Sequence, residues 1–170
     1  MLLPQKKDSM THATFVSDTH ARKRAPIILM ADDDEDDRMM TMEAFSETMC
    51  SKNFYTVNDG QELMDYLYQR NKFIDPKESP LPGLILLDLN MPKMNGREAL
   101  SEIKNNQRFR SIPVVVLSTS KTDDDVAQTY EIGVNSFVTK PESFDELVAI
   151  AKSLTEYWFD VVELPGQNQL

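Results

Sequence analysis

The stretch LILLDLNMPKMNG runs from Leu84 to Gly96 and joins an apolar segment to a polar turn. Four consecutive apolar residues lead into one carboxylate, Asp88, and the turn that follows contains Pro92 and Asn95. A charged group at the end of an apolar run costs free energy unless a partner or a ligand satisfies it. Asp88 is therefore either a structural cap for the following loop or a functional group, and the rest of the sequence must distinguish the two.

Four further segments are predicted to be strands, the first of them a short apolar run typical of a buried strand. They are PIILMA (residues 26–31), NFYTVND (53–59), IPVVVLS (112–118) and NSFVTK (135–140). Apolar residues at helical spacing lie between and after the strands, beginning with Met42, Phe45 and Met49. The methionine-rich stretch of this first helix is expected to form pliable core. Later helices are predicted through Leu63, Met64, Leu67 and Tyr68, through Leu100 and Ile103, from Thr122 to Gly133, and from Ser143 through Leu147, Ala151, Leu154 and Trp158.

Strands that are apolar on both faces and alternate with helices indicate an α/β fold with a parallel sheet covered on both sides. Right-handed crossovers make it a doubly wound sheet of five strands. Ligands of such folds bind at the carboxyl ends of the strands. The residues that follow each strand are therefore the candidates for function.

Acidic and polar residues follow these strands. The first strand leads into ADDDEDD (residues 31–37), and Asp88, Ser118 and Lys140 stand at the ends of the third, fourth and fifth strands. The carboxylates would repel one another, which raises the pKa of at least one of them unless a cation is bound. Oxygen ligands of this kind suit Mg²⁺. Carboxylate, magnesium, hydroxyl and ammonium around one point suggest phosphoryl transfer, with Asp88 as the nucleophile.

Length and composition limit the alternatives. The chain has 170 residues, a formal charge of −10 and one cysteine, Cys50. We expect one domain over residues 26–160, a polar and flexible N-terminal tail over 1–25, and a C-terminal tail over 161–170. The negative charge disfavours nucleic acid as a partner, no apolar run is long enough for a membrane, and the lone cysteine favours the cytoplasm.

Together these motifs resemble the receiver domain of two-component response regulators. ILMADDDEDD, LILLDLNMPKMNG, PVVVLSTS and FVTKP occur in the family's order and at compatible spacing. The narrower resemblance, carried by LDLNMPKMNGRE, IPVVVLSTS and EYW, is to stand-alone regulators that partner bacterial phytochrome kinases. It implies a flavodoxin-like receiver fold with strand order 2-1-3-4-5 and a sensor histidine kinase, of the phytochrome type in the narrower case, as partner. It also implies a phosphoprotein of a phosphorelay rather than an enzyme for another substrate.

The resemblance also implies a role for each residue at the strand ends. Asp88 is the phosphoacceptor and a Mg²⁺ ligand, Asp33 binds the ion directly, Asp32 binds it through water, and Asn90 offers its backbone carbonyl.

The remaining implied roles concern the phosphoryl group and the response to it. Ser118 and Lys140 contact the phosphoryl group. Phe137 occupies an aromatic switch position where many relatives have tyrosine, so it keeps the packing but has no hydroxyl. The Lys140–Pro141 peptide bond is expected to be cis.

Other interpretations remain open at this point. Asp32, Asp34, Asp36 and Glu43 match positions one, three, five and twelve of a calcium loop, although Asp37 stands where that loop needs glycine. A phosphatase of the haloacid-dehalogenase type also uses an aspartyl phosphate, but it expects an aspartate at the position of Asn90. A phosphorylation-independent interaction module with a vestigial pocket is the main alternative.

The aromatic end of the last helix leaves two possibilities. Tyr157, Trp158 and Phe159 could support a homodimer through the last helix and strand, as in many relatives, or Trp158 could pack on its own sheet.

Overall fold

The computed structural model describes residues 27–48, 52–120 and 122–164. Within these residues five strands alternate with five α-helices. In chain order the elements are β1 (Ile28–Ala31), α1 (Glu35–Ser46), β2 (Phe54–Val57), α2 (Gly60–Leu67), β3 (Leu84–Leu87), α3 (Gly96–Asn105), β4 (Val114–Ser118), α4 (Asp123–Ile132), β5 (Ser136–Thr139) and α5 (Phe144–Thr155). A 3₁₀ turn at Asn71–Phe73 and a π-helical segment at Glu156–Val161 complete the list.

The five strands form one parallel sheet in the order β2-β1-β3-β4-β5. Ala31 of β1 pairs with Leu87 of β3, and Ser118 of β4 pairs with Thr139 of β5. The predicted doubly wound fold and strand order are confirmed. The central strands consequently end at one edge of the sheet.

Both faces of the sheet are apolar because alternate residues of each strand point to opposite sides. In β1, Leu29 and Ala31 join a core cluster with α2 and α3, whereas Ile28 and Met30 join a second cluster with α1 and α5. Trp158 packs against the second cluster. Burial on both faces fixes the register, since a slip of one residue would exchange the two faces.

Side-chain caps set the beginnings of the helices. Asn95 and Glu98 form a reciprocal capping box at the start of α3. Thr122 caps α4, which ends at Gly133 in the left-handed conformation (φ 110°), as the sequence predicted. Ser143 caps α5 by accepting a hydrogen bond from the backbone of Glu146 at 3.3 Å.

Two sequence-based expectations are wrong. The methionines of α1 are not core: Met39, Met40 and Met42 are 57%, 43% and 45% exposed. Helix α1 instead packs through Ala44 and Phe45. The described residues contain no cis peptide bond, so the bond between Lys140 and Pro141 is trans.

Some sequence-based expectations concern residues that the structure does not describe. Met49, the N-terminal tail and residues 165–170 of the C-terminal tail lie outside the described residues. Among the helices that are described, none combines the length and apolarity that a bilayer crossing requires.

Candidate functional site

Three aspartates meet at the carboxyl edge of the sheet. Asp32 and Asp88 directly follow the paired residues Ala31 and Leu87, and the Asp88 N–H donates to the Ala31 carbonyl at 2.9 Å. One carboxylate oxygen from each of Asp32, Asp33 and Asp88 lies within 4.8 Å of the other two. Three acceptor-only groups this close fit one hard divalent cation. The structure thus brings together the acidic residues predicted from the sequence.

Burial and mutual repulsion control the ionisation of this cluster. The carboxyl group of Asp88 is 7% exposed, and its burial, with the nearby charge of Asp32, raises its pKa to about 6 against the attraction of Lys140. Burial also raises the pKa of Asp32, although Lys140 hydrogen-bonds to it. Asp33 is exposed at the mouth of the site. The carboxylates of the pocket therefore carry more negative charge than the ammonium group of Lys140 compensates.

Lys140 lies inside the cluster, but two other carboxylates lie closer to it than the carboxylate of Asp88. The Lys140 ammonium nitrogen lies 2.7 Å from Asp32 Oδ2 and 2.6 Å from Asp37 Oδ2, compared with 3.8 Å from Asp88 Oδ1. Although burial opposes the charge, the hydrogen bonds that Lys140 donates to these two carboxylates raise its pKa. Lys140 therefore remains an ammonium group at neutral pH.

Asp37 is a member of the site that the sequence did not single out. The sequence suggested only a charge at the start of a helix, yet Asp37 binds Lys140 from 103 positions away in the chain. Its neighbour Asp34 has the structural role, because its carboxylate caps α1 by accepting from Asp36 N and Asp37 N at 2.8 Å and 3.2 Å.

The calcium-loop interpretation is wrong. Helix α1 already begins at Glu35, so Glu43 lies within the helix rather than at the end of a twelve-residue loop. Asp36 is exposed on the first turn of the same helix.

Ser118 and Asn90 complete the predicted set. Ser118 is fully buried, and its hydroxyl oxygen accepts from the Ser120 N–H at 3.2 Å. Its carbonyl accepts from the Lys140 N–H at 2.9 Å, which connects the ends of β4 and β5. Asn90 is exposed two residues after Asp88, and its backbone N–H hydrogen-bonds to the Asp88 carboxylate.

Phe137 lies on β5 and packs partly buried against the cluster of α2 and α3. The hydroxyl that this position lacks is supplied nearby by Tyr130 of α4, whose oxygen accepts from the Phe137 N–H at 3.3 Å. Tyr130 is 50% exposed. No pattern in the sequence indicates this link between α4 and β5.

Gly96 explains part of the sequence around Asp88. A Cβ atom at this position would lie 2.1 Å from the Asp88 carbonyl oxygen and 2.7 Å from Leu89 Cα. Only glycine permits the first turn of α3 to pack directly against the loop that carries Asp88.

A doubly wound parallel sheet with clustered aspartates and a lysine at its carboxyl edge is the arrangement of a receiver domain. Residues 28–152 match the response regulator receiver domain family, and the chain belongs to this family.

Among curated proteins the chain is similar to response regulator Rcp1 of Synechocystis sp., with 37% identity over 140 residues that cover 82% of this chain and 93% of Rcp1. Among solved structures it is similar to the phosphorylated cyanobacterial phytochrome response regulator RcpA, with 38% identity and a TM-score of 0.77 over 83% of this chain and 99% of that one. The Mn²⁺-bound form of Rcp1 is 36% identical, with a TM-score of 0.71 over 83% of this chain and 99% of that one.

Proposed function

We propose that the protein is a phosphoacceptor switch in which Asp88 receives a phosphoryl group from a sensor histidine kinase and the partner-binding surface changes in response. The observation that carries the proposal is the convergence of Asp32, Asp33 and Asp88 within 4.8 Å, beside the ammonium group of Lys140. Membership of the receiver family and similarity to a phosphorylated phytochrome regulator support it. The chain is a substrate of its kinase and an aid to its own phosphorylation and dephosphorylation, not an enzyme for another substrate.

Mg²⁺ is the cation that we propose for the site. Asp33 and Asp88 would ligate it directly, Asp32 would act through water, and the backbone carbonyl of Asn90 would be a further ligand. The support is the oxygen-only donor set, the closeness of three carboxylates and the Mn²⁺ bound in the relative Rcp1. When bound, the cation neutralises the carboxylates and the charge on the phosphoryl oxygens.

The transfer requires little covalent chemistry from the protein. An oxygen of the Asp88 carboxylate forms a bond to phosphorus as the phosphorus–nitrogen bond of the phosphohistidine breaks, and the imidazole nitrogen keeps the bonding electrons. Lys140 pairs with one phosphoryl oxygen and the Ser118 hydroxyl donates to another. Position and charge therefore account for catalysis at this site. The Phe137 N–H, which donates to the Tyr130 hydroxyl, connects β5 with α4, and these are the elements in which we expect the response.

A kinase of the phytochrome type is the narrower expectation for the donor, supported by the phytochrome regulator RcpA among the relatives. The predicted cytoplasmic location and the absence of nucleic-acid and membrane partners remain predictions.

Incubation with acetyl phosphate and Mg²⁺, followed by intact mass measurement, tests the function. Wild type is expected to gain the mass of one phosphoryl group, Asp88→Asn none, and the matched variant Asp36→Asn the full amount. An unmodified wild type, or an adduct of equal size on Asp88→Asn, would refute the proposal. A partner that binds wild type and Asp88→Asn equally, with or without phosphodonor, would favour the interaction module with a vestigial pocket.

A homodimer through the last helix and strand is a second proposal. Trp158 packs on its own core, which favours the intramolecular alternative for that residue, but Tyr157 and Val161 are 51% and 67% exposed on the segment that follows α5. Sedimentation at several concentrations, with and without phosphodonor, decides between monomer and dimer. An unchanged monomer at all concentrations would exclude pairing.

A further inference from the structure

A second charged network lies beside the aspartate site. Both carboxylate oxygens of Asp125, in the first turn of α4, are engaged: Oδ1 accepts from Arg97 Nη2 and Oδ2 accepts from Ser120 Oγ. The side chains of Arg97 and Asp125 are 27% and 25% exposed, so the pair is more buried than a typical surface ion pair. We call Arg97, Asp125 and Ser120 the clamp.

The clamp connects two loops that carry residues of the site. Arg97 follows Gly96, whose N–H donates to the Leu89 carbonyl at 3.0 Å and whose Cα lies against the Asp88 carbonyl. At the other end, the Ser120 N–H donates to Ser118 Oγ at 3.2 Å. The loop after β3 and the loop after β4 are thus joined through one carboxylate.

Asp125 is well suited to hold this junction. Its N–H donates to Thr122 Oγ1 at 3.2 Å and its carbonyl accepts from Thr129 Oγ1 at 2.5 Å, which fixes its backbone on α4. Hydrogen bonds from Ser120 and Thr122, together with the charge of Arg97, lower the pKa of Asp125. The carboxylate is therefore an acceptor at both oxygens at neutral pH.

The consequence concerns the direction of the Ser118 proton. A serine hydroxyl rotates to suit its partners, and one engaged lone pair restricts where its hydrogen points. Since the Ser120 N–H already occupies one lone pair of the Ser118 oxygen, the hydroxyl hydrogen points away from Ser120 and is available to another acceptor. A donor fixed in advance stabilises a developing charge without the cost of reorganisation.

We propose that Arg97 and Asp125 are positioning residues that hold the Ser118 hydroxyl, through Ser120, as a donor for the phosphoryl group on Asp88. The inference rests on the proposed function. Neither residue touches the phosphoryl group, so the effect of each must pass through Ser118. A surface ion pair that only stabilised the fold would not depend on the Ser118 hydroxyl.

Binding of beryllium fluoride, a phosphoryl mimic, in the presence of Mg²⁺ tests the proposal by calorimetry. Arg97→Met and Asp125→Asn are expected to weaken binding of the mimic about tenfold, within the range of coupling between neighbouring groups. Mg²⁺ affinity is expected to stay unchanged because Asp32, Asp33 and Asp88 are intact. Arg97→Lys keeps the positive charge but loses the planar guanidinium, and it is expected to show an intermediate loss. Arg110→Met and Asp124→Asn remove the same charges from exposed residues and serve as matched controls.

A double-mutant cycle with Ser118→Ala separates positioning from general stabilisation. In the Ser118→Ala background, Arg97→Met and Asp125→Asn are expected to cause no further loss. Unchanged binding in both single variants, or losses that add to that of Ser118→Ala, would overturn the proposal. If one variant unfolds, the other and Arg97→Lys decide. A wild type that takes neither mimic nor phosphoryl group would refute the proposed function instead.

Discussion

Lys140 is bound more closely by Asp37 than by Asp88: its ammonium nitrogen lies 2.6 Å from a carboxylate oxygen of Asp37 and 3.8 Å from one of Asp88. Asp37 lies in the first turn of α1 and is 31% exposed, on the solvent side of the site. The lysine is therefore held between α1 and the sheet. Its ammonium group has a third N–H for a phosphoryl oxygen on Asp88, but it must shift toward Asp88 against the attraction of the two closer carboxylates.

Asp37→Asn is expected to speed phosphorylation of Asp88 by a small donor several-fold. The substitution removes a charge that competes for Lys140, so the lysine moves toward Asp88 at a lower cost. The measurement is the rate of mass gain with acetyl phosphate and Mg²⁺. Asp36→Asn removes the same charge one residue away on an exposed side chain and should leave the rate unchanged. A slower rate in Asp37→Asn would instead assign Asp37 a supporting role in holding Lys140.

Gly96→Ala is expected to destabilise the protein by about 2–4 kcal/mol, because the new methyl group would overlap the Asp88 carbonyl oxygen and backbone must shift. Chemical denaturation measures the loss. Gly133→Ala is the control, since Gly133 has φ 110° but its Cβ would meet nothing closer than 3.6 Å. It should cost about 1 kcal/mol and leave phosphorylation of Asp88 intact. Equal effects of both substitutions on the site would contradict the close packing of α3 on the Asp88 loop.

The fold was predictable from the sequence because its three central strands, β1, β3 and β4, are buried on both faces. A run such as Leu84–Leu87 has no polar face, which indicates a central parallel strand. The ends of those strands then located Asp32, Asp88, Ser118 and Lys140 together by topology alone. Capping chemistry fixed the two ends of α4 in the same way.

The remaining features depend on pairings that leave no local pattern. Asp37 pairs with Lys140 across 103 positions of the chain, and Arg97 pairs with Asp125 across 28 positions. Charged residues at the start of a helix are common for local reasons, so the sequence could not separate these from their neighbours. The exposed Met39 and Met42 were misassigned for a similar reason: apolarity alone does not show which face of a helix the sheet covers.

Asp59→Ala is expected to lower the free energy of unfolding by about 1–3 kcal/mol at pH 7. Asp59 is buried, caps α2 by accepting from Glu62 N at 2.8 Å, and pairs with Lys93 at 2.6 Å. Burial opposes its charge, but these hydrogen bonds lower its pKa overall. A carboxyl group whose pKa is lowered in the folded state stabilises the fold above its unfolded pKa, and this contribution disappears as pH falls through the folded pKa.

Urea denaturation at pH 7 measures the loss of stability in Asp59→Ala, and the same measurement below about pH 3 tests whether that loss disappears in acid. The difference between wild type and Asp59→Ala should shrink in acid. Lys93→Met serves as comparison and should cost less than Asp59→Ala, because Lys93 is 67% exposed and solvent screens its charge. A difference that is equally large in acid would assign the effect to packing rather than to charge.

Asp88→Asn is expected to make the metal-free protein more stable at pH 7, by about 1–3 kcal/mol. Burial raises the pKa of Asp88 from 3.8 to about 6, so the folded state holds this proton more tightly than the unfolded chain. The stability that protonation supplies is complete below pH of about 4 and is lost as pH rises through about 6. At pH 7 the wild-type fold must therefore accommodate a buried carboxylate, whereas the amide carries no charge.

Denaturation at pH 4 should show that the stability advantage of Asp88→Asn is largely gone. Added Mg²⁺ should stabilise wild type more than the variant, because the ion binds only the folded site. Asp36→Asn, on an exposed side chain, should change neither. If Asp88→Asn were less stable than wild type without metal at pH 7, Asp88 would be a structural cap for its loop rather than a carboxylate held in place for chemistry.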